Sequence, residues 1–190
     1  MFDKMVNDFK FKIDGVPVGK VYYLQWLCNT YGDFKVAFSW KDKEGNIRWS
    51  KHRSVLSCWH SDEGIDFLER VNHRQMLKCE IIFDMDDDIS SELLHGICNH
   101  IRYDLGLEYK AYFTGSKGYH IHVLDPKLIL YNDVDRKKIR DWTIKQFKCD
   151  RMKAVESTMI ALEGCKHWKT GNFKEKIEVV DNDERSRSDC

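Results

Sequence analysis

The most informative segment of the sequence is Tyr112-Phe113-Thr114-Gly115-Ser116-Lys117-Gly118-Tyr119-His120-Ile121-His122-Val123. Two runs rich in aromatic and β-branched residues flank a Gly-Ser-Lys-Gly sequence, which is typical of a tight turn between two strands. Gly115 and Gly118 allow the backbone to approach a ligand closely, while Ser116 and Lys117 supply a hydroxyl group and a cation. The sequence therefore predicts a strand, a turn suited to binding phosphate, and a second strand.

An apolar run upstream of this stretch ends in carboxylates and reads Cys79-Glu80-Ile81-Ile82-Phe83-Asp84-Met85-Asp86. Because side chains alternate along a strand, we expect Asp84 and Asp86 to share one face. The same alternation puts His120 and His122 on one face of the later strand. Two neighbouring carboxylates repel each other unless a divalent metal ion or a shared proton neutralises them. The alternative is an acidic strand end that opens into a solvated loop at residues 86–88, which the Asp-x-Asp pattern by itself favours.

A helix is predicted between these two regions. Ser90 is expected to cap its N-terminus and Gly106 to end it. The apolar residues that keep helical spacing are Leu94, Ile97, Cys98, Ile101 and Leu105. The order from Cys79 to Val123 is thus strand, helix, strand, turn and strand, a βαββ unit whose sheet is covered by helices on one face. The predicted fold class is α+β.

The rest of the chain gives simpler predictions. Residues 9–18 form a short alternating segment with a turn. Alternation over residues 34–40, a turn, and a return over residues 47–51 predict a β-hairpin. A short helix is expected at residues 61–71 and a longer one from residue 132 or 133 to residue 147.

Composition limits the class of protein. The 190 residues, of which 42% are hydrophobic, suffice for one domain with a sizeable core. Basic and acidic residues number thirty-one each, so no global positive field marks a general nucleic-acid coat. The sequence has no apolar run of membrane-spanning length and no apolar signal core, so no membrane partner is expected. We expect an intracellular protein, in the cytoplasm or nucleoid, or in the nucleus of a eukaryote.

The cysteine pattern favours reduced thiols. The seven cysteines are odd in number and never form a Cys-x-x-Cys pair. Buried thiols are therefore the expected state, and a structural zinc site is not expected.

Four sequence motifs, taken together and in order, resemble the catalytic subunits of archaeo-eukaryotic primases and the related primase-polymerases. That family carries a hydrophobic strand ending in Asp-x-Asp, a Ser-Gly-x-Lys/Arg-Gly-x-His turn, a later hydrophobic-Asp, and often a His-x-Lys-Thr-Gly stretch. The matching segments are Phe83-Asp84-Met85-Asp86, Thr114 to His120, Cys149-Asp150, and His167-Trp168-Lys169-Thr170-Gly171. The resemblance covers roughly residues 81–171.

The resemblance implies a fold and a chemistry. The fold would be an RRM-like βαββ catalytic core within the archaeo-eukaryotic primase fold, with a mixed, mainly antiparallel sheet and covering helices. The implied activity is that of a DNA primase or primase-polymerase, a nucleotidyltransferase that synthesises or extends primers on single-stranded DNA. The residues implied in catalysis and in binding two Mg²⁺ or Mn²⁺ ions are Asp84, Asp86 and Asp150. Those implied in nucleotide binding are Ser116, Lys117, Gly118, His120, His167 and Lys169.

The resemblance also implies partners and a domain organisation. The expected partners are a single-stranded DNA template, ribonucleotides or deoxyribonucleotides, and a helicase or accessory primase domain or subunit. We expect one catalytic domain over residues 1–180, made of an N-terminal α/β part (1–78) and a motif-bearing part (79–180). Residues 181–190 are expected to form a disordered tail. Because relatives of this family are often one module of a longer protein, the chain is also interpreted as a fragment.

The sequence departs from the family pattern before the late histidine. Family members usually carry an Arg or Lys and a Pro there, whereas this chain has Ala161, Leu162, Glu163 and Gly164. One triphosphate contact is therefore missing or is supplied by Lys166.

Two rival interpretations remain. His120-Ile121-His122 is a His-hydrophobic-His motif, which resembles the rolling-circle replication and relaxase endonucleases, where two histidines hold a metal ion and a tyrosine attacks DNA. The tyrosine that follows His122 here is Tyr131, beside a loop, which is a poor place for a helical nucleophile. The second rival is a catalytically inactive nucleic-acid-binding domain, and the intact Asp-x-Asp pattern argues against it.

Overall fold

The computed structural model describes residues 11–85, 89–147, 149–167 and 170–179. Asp86 and Lys169, the acidic loop at residues 86–88 and the predicted tail at 181–190 lie outside the described residues.

The strands, in chain order, are β1 (Phe11–Ile13), β2 (Val16–Val18), β3 (Lys35–Ala37), β4 (Ser39–Lys41), β5 (Ile47–Trp49), β6 (Arg53–Ser54), β7 (His73–Gln75), β8 (Glu80–Met85), β9 (Tyr109–Phe113), β10 (Tyr119–Leu124), β11 (Met159–Ala161) and β12 (Glu175–Ile177). The α-helices are α1 (Lys20–Tyr31), α2 (Val55–Cys58), α3 (Asp62–Arg70), α4 (Ser91–Asn99) and α5 (Asp133–Lys145). A π-helical turn (His100–Asp104) and two 3₁₀ turns (Pro126–Leu130 and Arg151–Ala154) complete the regular structure of the described residues.

The described residues divide into two compact units, 11–78 with 156–175, and 79–155 with 176–179. The prediction of one domain over residues 1–180 stays a prediction. None of the described helices has the length and apolar character that a membrane span requires.

The first unit contains a four-stranded sheet in the order β11-β7-β3-β6, together with the hairpins β1-β2 and β4-β5. The predicted helix at 61–71 is confirmed as α3, and the Ser61 hydroxyl oxygen accepts a hydrogen bond from the Gly64 N–H at 3.1 Å. Helices α1 and α3 bury Leu24 and Leu68 completely.

The predicted β-hairpin in the first unit is confirmed for β4 and β5, but its first strand is shorter than predicted. β4 pairs with β5, but β3 belongs to the four-stranded sheet, so the continuous strand expected over residues 34–40 is two strands. The side chain of Asn72 explains the break, since it donates to the Ser39 carbonyl and accepts from the Ser39 N–H, each at 2.9 Å. These bonds occupy the backbone groups that would otherwise continue the ladder from β3.

The second unit contains the predicted βαββ arrangement. Its sheet has the strand order β12-β9-β10-β8, and β10 pairs antiparallel with both β8 and β9. The Ser90 hydroxyl oxygen caps α4 by accepting from the Leu93 N–H at 3.3 Å. The helix ends in the π-helical turn, where the Leu105 N–H donates to the His100 carbonyl, and Gly106 follows with φ of +64°. The expected span of this helix is therefore confirmed, with a wider last turn.

The sheet of the second unit has one apolar face. Every second residue of β8 and β10 packs in a core with α4, the π-helical turn and α5. The fully or almost fully buried members of that core are Ile81, Phe83, Met85, Ile97, Cys98, Ile101, Ala111, Ile121, Val123, Leu128, Ile144 and Ala154. The alternation of β-strands then places the intervening residues of β8 and β10 on the opposite face.

Replacement of Ile121 by alanine tests this core. Ile121 is 0% exposed, so Ile121→Ala leaves a cavity and should lower the free energy of unfolding by about 2–5 kcal/mol. Ile129 is 49% exposed in the 3₁₀ turn Pro126–Leu130, and Ile129→Ala should change it by less than about 0.5 kcal/mol. Urea unfolding followed by circular dichroism measures both, and equal effects of the two changes would contradict the assigned core face.

Candidate active site

The polar face of the second unit's sheet brings Asp84 and His120 together. Asp84 on β8 lies directly opposite His120 on β10 in the strand register. Cross-strand partners point to the same side of an antiparallel sheet, so the two side chains meet. His120 Nε2 lies 3.1 Å from Asp84 Oδ1, and both side chains are buried. The family motifs that carry these two residues therefore converge in space.

A second cation contacts the same carboxylate. Lys153 Nζ lies 2.9 Å from Asp84 Oδ2, and the Lys153 side chain is only 14% exposed. Burial by itself would raise the pKa of the Asp84 carboxyl, but the interactions with His120 and Lys153 outweigh it and hold the pKa well below its usual value. Asp84 is therefore a carboxylate anion throughout the physiological pH range.

One oxygen of Asp84 lacks a hydrogen-bond donor. Oδ1 is buried and accepts no hydrogen bond within the described residues, although His120 is at ion-pair distance. A buried carboxylate oxygen without a donor is unusual and suits a hard divalent cation such as Mg²⁺ or Mn²⁺.

Asp150, the third predicted carboxylate, lies beside β8 on the edge opposite β10. Its backbone N–H donates to the Asp84 carbonyl oxygen at 2.9 Å. Its own Oδ1 accepts from the Met152 N–H at 2.9 Å and so caps the 3₁₀ turn Arg151–Ala154, which carries Lys153. The structure thus brings the backbones of Asp84 and Asp150 together. Within the described residues, these two aspartates do not form a ready three-ligand group with a further His, Cys, Asp or Glu.

Cys149 is a neutral thiol next to this site. Burial, with a smaller contribution from the negative charge of Asp84, raises the pKa of Cys149 to about 12. The thiolate form needed for nucleophilic attack is therefore scarce near neutral pH.

The predicted turn lies at the end of the sheet where Asp84 is found. Tyr119, the first residue of β10, pairs with Met85, the last residue of β8, so the turn at 114–118 adjoins that end. The Thr114 N–H donates to the Gly118 carbonyl at 3.0 Å, and Gly115 adopts φ of +83°, a conformation that favours glycine.

The side chains of the turn differ in exposure. Gly118 is buried, Ser116 is half-buried and Lys117 is exposed. A half-buried hydroxyl group and an exposed ammonium thus lie at the same end of the sheet as the buried Asp84 carboxylate.

His122 forms a separate pair. Its Nδ1 lies 2.7 Å from Glu80 Oε1, and both side chains are buried. Arg140 of α5 donates from Nε to the Glu80 carbonyl at 2.8 Å, and the Tyr112 ring lies edge-on to the His122 ring. His122 therefore binds a second buried carboxylate, four residues before Asp84 on β8.

The late motif lies in the first unit. The His167 N–H donates to the Asn172 carbonyl at 2.6 Å, and the Gly171 N–H donates to the His167 carbonyl at 2.8 Å. Gly171 has φ of +74°, a conformation that favours glycine. The nucleotide-binding roles of His167 and of Lys169, which lies outside the described residues, stay predictions.

Sequence reasoning missed three charged residues, namely Glu80, Arg140 and Lys153. Glu80 had a usable signal, because it lies four positions before Asp84 and so on the same face of β8. Lys153 had none, since it lies in a short polar turn and meets Asp84 only through the fold.

Three comparisons place this geometry among known proteins. No protein-family model matches the sequence, and no curated protein is significantly similar to it. Among solved structures, the polymerase domain of Mycobacterium tuberculosis Ligase D in complex with DNA matches with a TM-score of 0.56 and 11% identity, over 84% of this chain and 80% of that one. The primase-polymerase domain of cyanophage S-2L matches with a TM-score of 0.49 and 14% identity, over 83% of this chain and 89% of that one.

The comparison with the Ligase D polymerase domain shows a shared fold. It confirms the predicted α+β class, with antiparallel sheets and helices, and shows that this chain shares the fold of that polymerase domain.

The lowered pKa of Asp84 predicts a pH-dependent contribution to stability. The contribution is complete above the unfolded-state pKa of about 3.9 and declines as the pH falls below it. At pH 7 with EDTA, Asp84→Asn removes the buried negative charge that His120 and Lys153 contact. This change should lower the free energy of unfolding by about 3 kcal/mol. Urea unfolding at pH 7 and at pH 3 measures this effect. The difference in free energy of unfolding between wild type and Asp84→Asn should be smaller at pH 3.

The control is Asp141→Asn. Asp141 forms an exposed pair with Arg151, and its loss should cost less than about 1 kcal/mol at pH 7. A difference between wild type and Asp84→Asn that does not change between the two pH values would contradict the assigned pairing.

Proposed function

We propose that this protein is a DNA primase or primase-polymerase that transfers nucleotides onto a primer end or onto a second nucleotide along a single-stranded DNA template. The observation that carries the proposal is the buried Asp84 carboxylate, whose Oδ1 lacks a hydrogen-bond donor. It lies beside Asp150 and at the same end of the sheet as the Gly-Ser-Lys-Gly turn.

The donor set fits a divalent ion. Asp84 and Asp150 supply carboxylate oxygens, the ligands that Mg²⁺ and Mn²⁺ prefer. Asp86 is proposed as the third ligand on the basis of the sequence motif. When bound, a pair of such ions would stabilise the charges on the attacking and leaving oxygens of a displacement at phosphorus.

The turn at 114–118 is proposed to bind the triphosphate. Ser116 would donate from its hydroxyl, Lys117 would place its ammonium against phosphate oxygens, and Gly118 would let the backbone approach. His120 would hold the Asp84 carboxylate in its ionised form and fix its orientation from the neighbouring strand. His167 and Lys169 are proposed as further phosphate contacts from the sequence motif.

The partners follow from the same proposal. A neighbour of the same fold, the Ligase D polymerase domain, is described in complex with DNA, which supports DNA as the template. Ribonucleotides or deoxyribonucleotides would be the substrates. A helicase or accessory primase subunit is proposed as a partner, and the setting is proposed to be intracellular.

Template copying in the presence of metal tests the central proposal. Incorporation of labelled nucleotides on single-stranded DNA, with and without a primer, should require Mg²⁺ or Mn²⁺ and stop with EDTA. Asp84→Asn and Asp150→Asn should each reduce incorporation by at least about 100-fold, because each removes charge stabilisation from the transition state. The matched control Asp135→Asn, which removes the charge of an exposed aspartate paired with Lys138 on α5, should leave incorporation unchanged.

Two outcomes would overturn the proposal. Cleavage of the DNA with protein attached covalently through Tyr131 would support the His-hydrophobic-His endonuclease instead. DNA binding without incorporation or cleavage, unaltered in Asp84→Asn, would support an inactive nucleic-acid-binding domain.

The role of the turn predicts a kinetic split. Lys117 is exposed and forms no salt bridge with the described residues. Lys117→Ala should therefore leave folding intact. Loss of a charge-assisted hydrogen bond to the triphosphate should raise KM for the nucleotide about tenfold, with a smaller change in kcat. Steady-state kinetics measures both, with Lys138→Ala, an exposed lysine on α5, as the control. An unchanged KM would remove Lys117 from the binding site.

A further inference from the structure

We propose that Lys153 is a built-in counter-ion of Asp84, which holds the site together without metal and competes with a divalent ion for this carboxylate. The inference rests on the proposed function, since it takes Asp84 to be a metal ligand. Lys153 matches no residue of the four sequence motifs. It enters the site through the fold alone.

The contact is close and sheltered. Lys153 Nζ lies 2.9 Å from Asp84 Oδ2, with the two side chains 14% and 6% exposed. An ion pair with this little exposure is screened weakly by salt and water. The ammonium therefore acts on Asp84 as a fixed positive charge rather than as one of many mobile surface cations.

The turn that carries Lys153 is anchored on both sides. At its start, Asp150 donates its backbone N–H to the Asp84 carbonyl and caps the turn with its side chain. Arg151 forms two hydrogen bonds to Asp141 Oδ1, at 2.9 and 2.7 Å. At its end, Ala154 is buried in the core of the second unit. These anchors hold the Lys153 backbone beside β8, so the ammonium reaches Asp84 without ordering a loop.

The two oxygens of Asp84 differ in a way that explains the competition. Oδ2 is occupied by Lys153, whereas Oδ1 has no hydrogen-bond donor within the described residues. A divalent ion on this carboxylate would either displace the ammonium or lie close to it, and the two cations would repel each other. Either event weakens metal binding. A displaced ammonium would then be available to phosphate oxygens, which would make metal and nucleotide binding favour each other.

Titration with Mn²⁺ alone tests the competition without relying on activity. Free Mn²⁺ is measured by its electron paramagnetic resonance signal for wild type, Lys153→Met, Lys138→Met and Asp84→Asn. Lys153→Met should bind Mn²⁺ about 5- to 150-fold more tightly than wild type, the range typical of coupling between two sites. Lys138→Met, which removes an exposed lysine of α5, should bind as wild type, and Asp84→Asn should lose the tight site.

Thermal unfolding gives a second readout. In EDTA, Lys153→Met should unfold at a lower temperature than wild type, because Asp84 loses a buried partner. Saturating Mn²⁺ should then raise the Tm of Lys153→Met by more than it raises that of wild type, because the gain follows affinity. Lys153→Arg keeps the charge and should behave as wild type in both measurements. If Lys153→Met does not fold, Lys153→Gln takes its place as the neutral variant.

The outcomes separate the inference from the proposed function. Equal or weaker Mn²⁺ binding by the neutral Lys153 variants, with the site still lost in Asp84→Asn, would overturn the counter-ion role and leave the proposed metal site standing. Absence of Mn²⁺ binding in wild type and in the neutral Lys153 variants alike would overturn both. Tighter binding by the neutral variants, but not by Lys153→Arg, would establish the competition.

Discussion

The burial of the Asp84 carboxylate is the constraint on which the rest of this site depends. A carboxylate with so little contact with water is costly unless cations surround it. Two segments meet that need from opposite sides of β8: β10 supplies His120, and the turn after Asp150 supplies Lys153. The register of the sheet and the anchoring of the 3₁₀ turn are therefore parts of one electrostatic arrangement, and the low pKa of Asp84 is its consequence.

Strands β8 and β10 carry core residues on one face of the sheet and the polar residues of the site on the other. Ile81, Phe83 and Met85 of β8 lie in the core with α4 and α5, whereas Glu80 and Asp84 each meet a histidine of β10. Because the side chains of a strand alternate, a strongly packed core fixes the positions of the polar residues between its members. A site that must hold charges at fixed distances gains precision from being built on such strands rather than on loops.

The shared fold and the site contribute different parts of the functional argument. Likeness to the Ligase D polymerase domain at 11% identity establishes the architecture, and one architecture hosts many activities. The nucleotidyl-transfer proposal therefore depends on the residues: an oxygen of Asp84 without a donor, a neighbouring Asp150, and a glycine-rich turn at the same end of the sheet.

Sequence patterns were enough to predict the βαββ order, the glycine turn after β9, the Ser61 and Ser90 caps, and the shared face of His120 and His122. These features follow from alternation, turn propensity and capping, which act between residues close in the chain. Only the tertiary structure decided that Lys153 pairs with Asp84, that Glu80 pairs with His122, and that Asn72 breaks the strand at Ser39. The residues in these contacts lie 33 to 69 positions apart in the chain. Their geometry depends on how distant elements pack together, and no local sequence pattern predicts it.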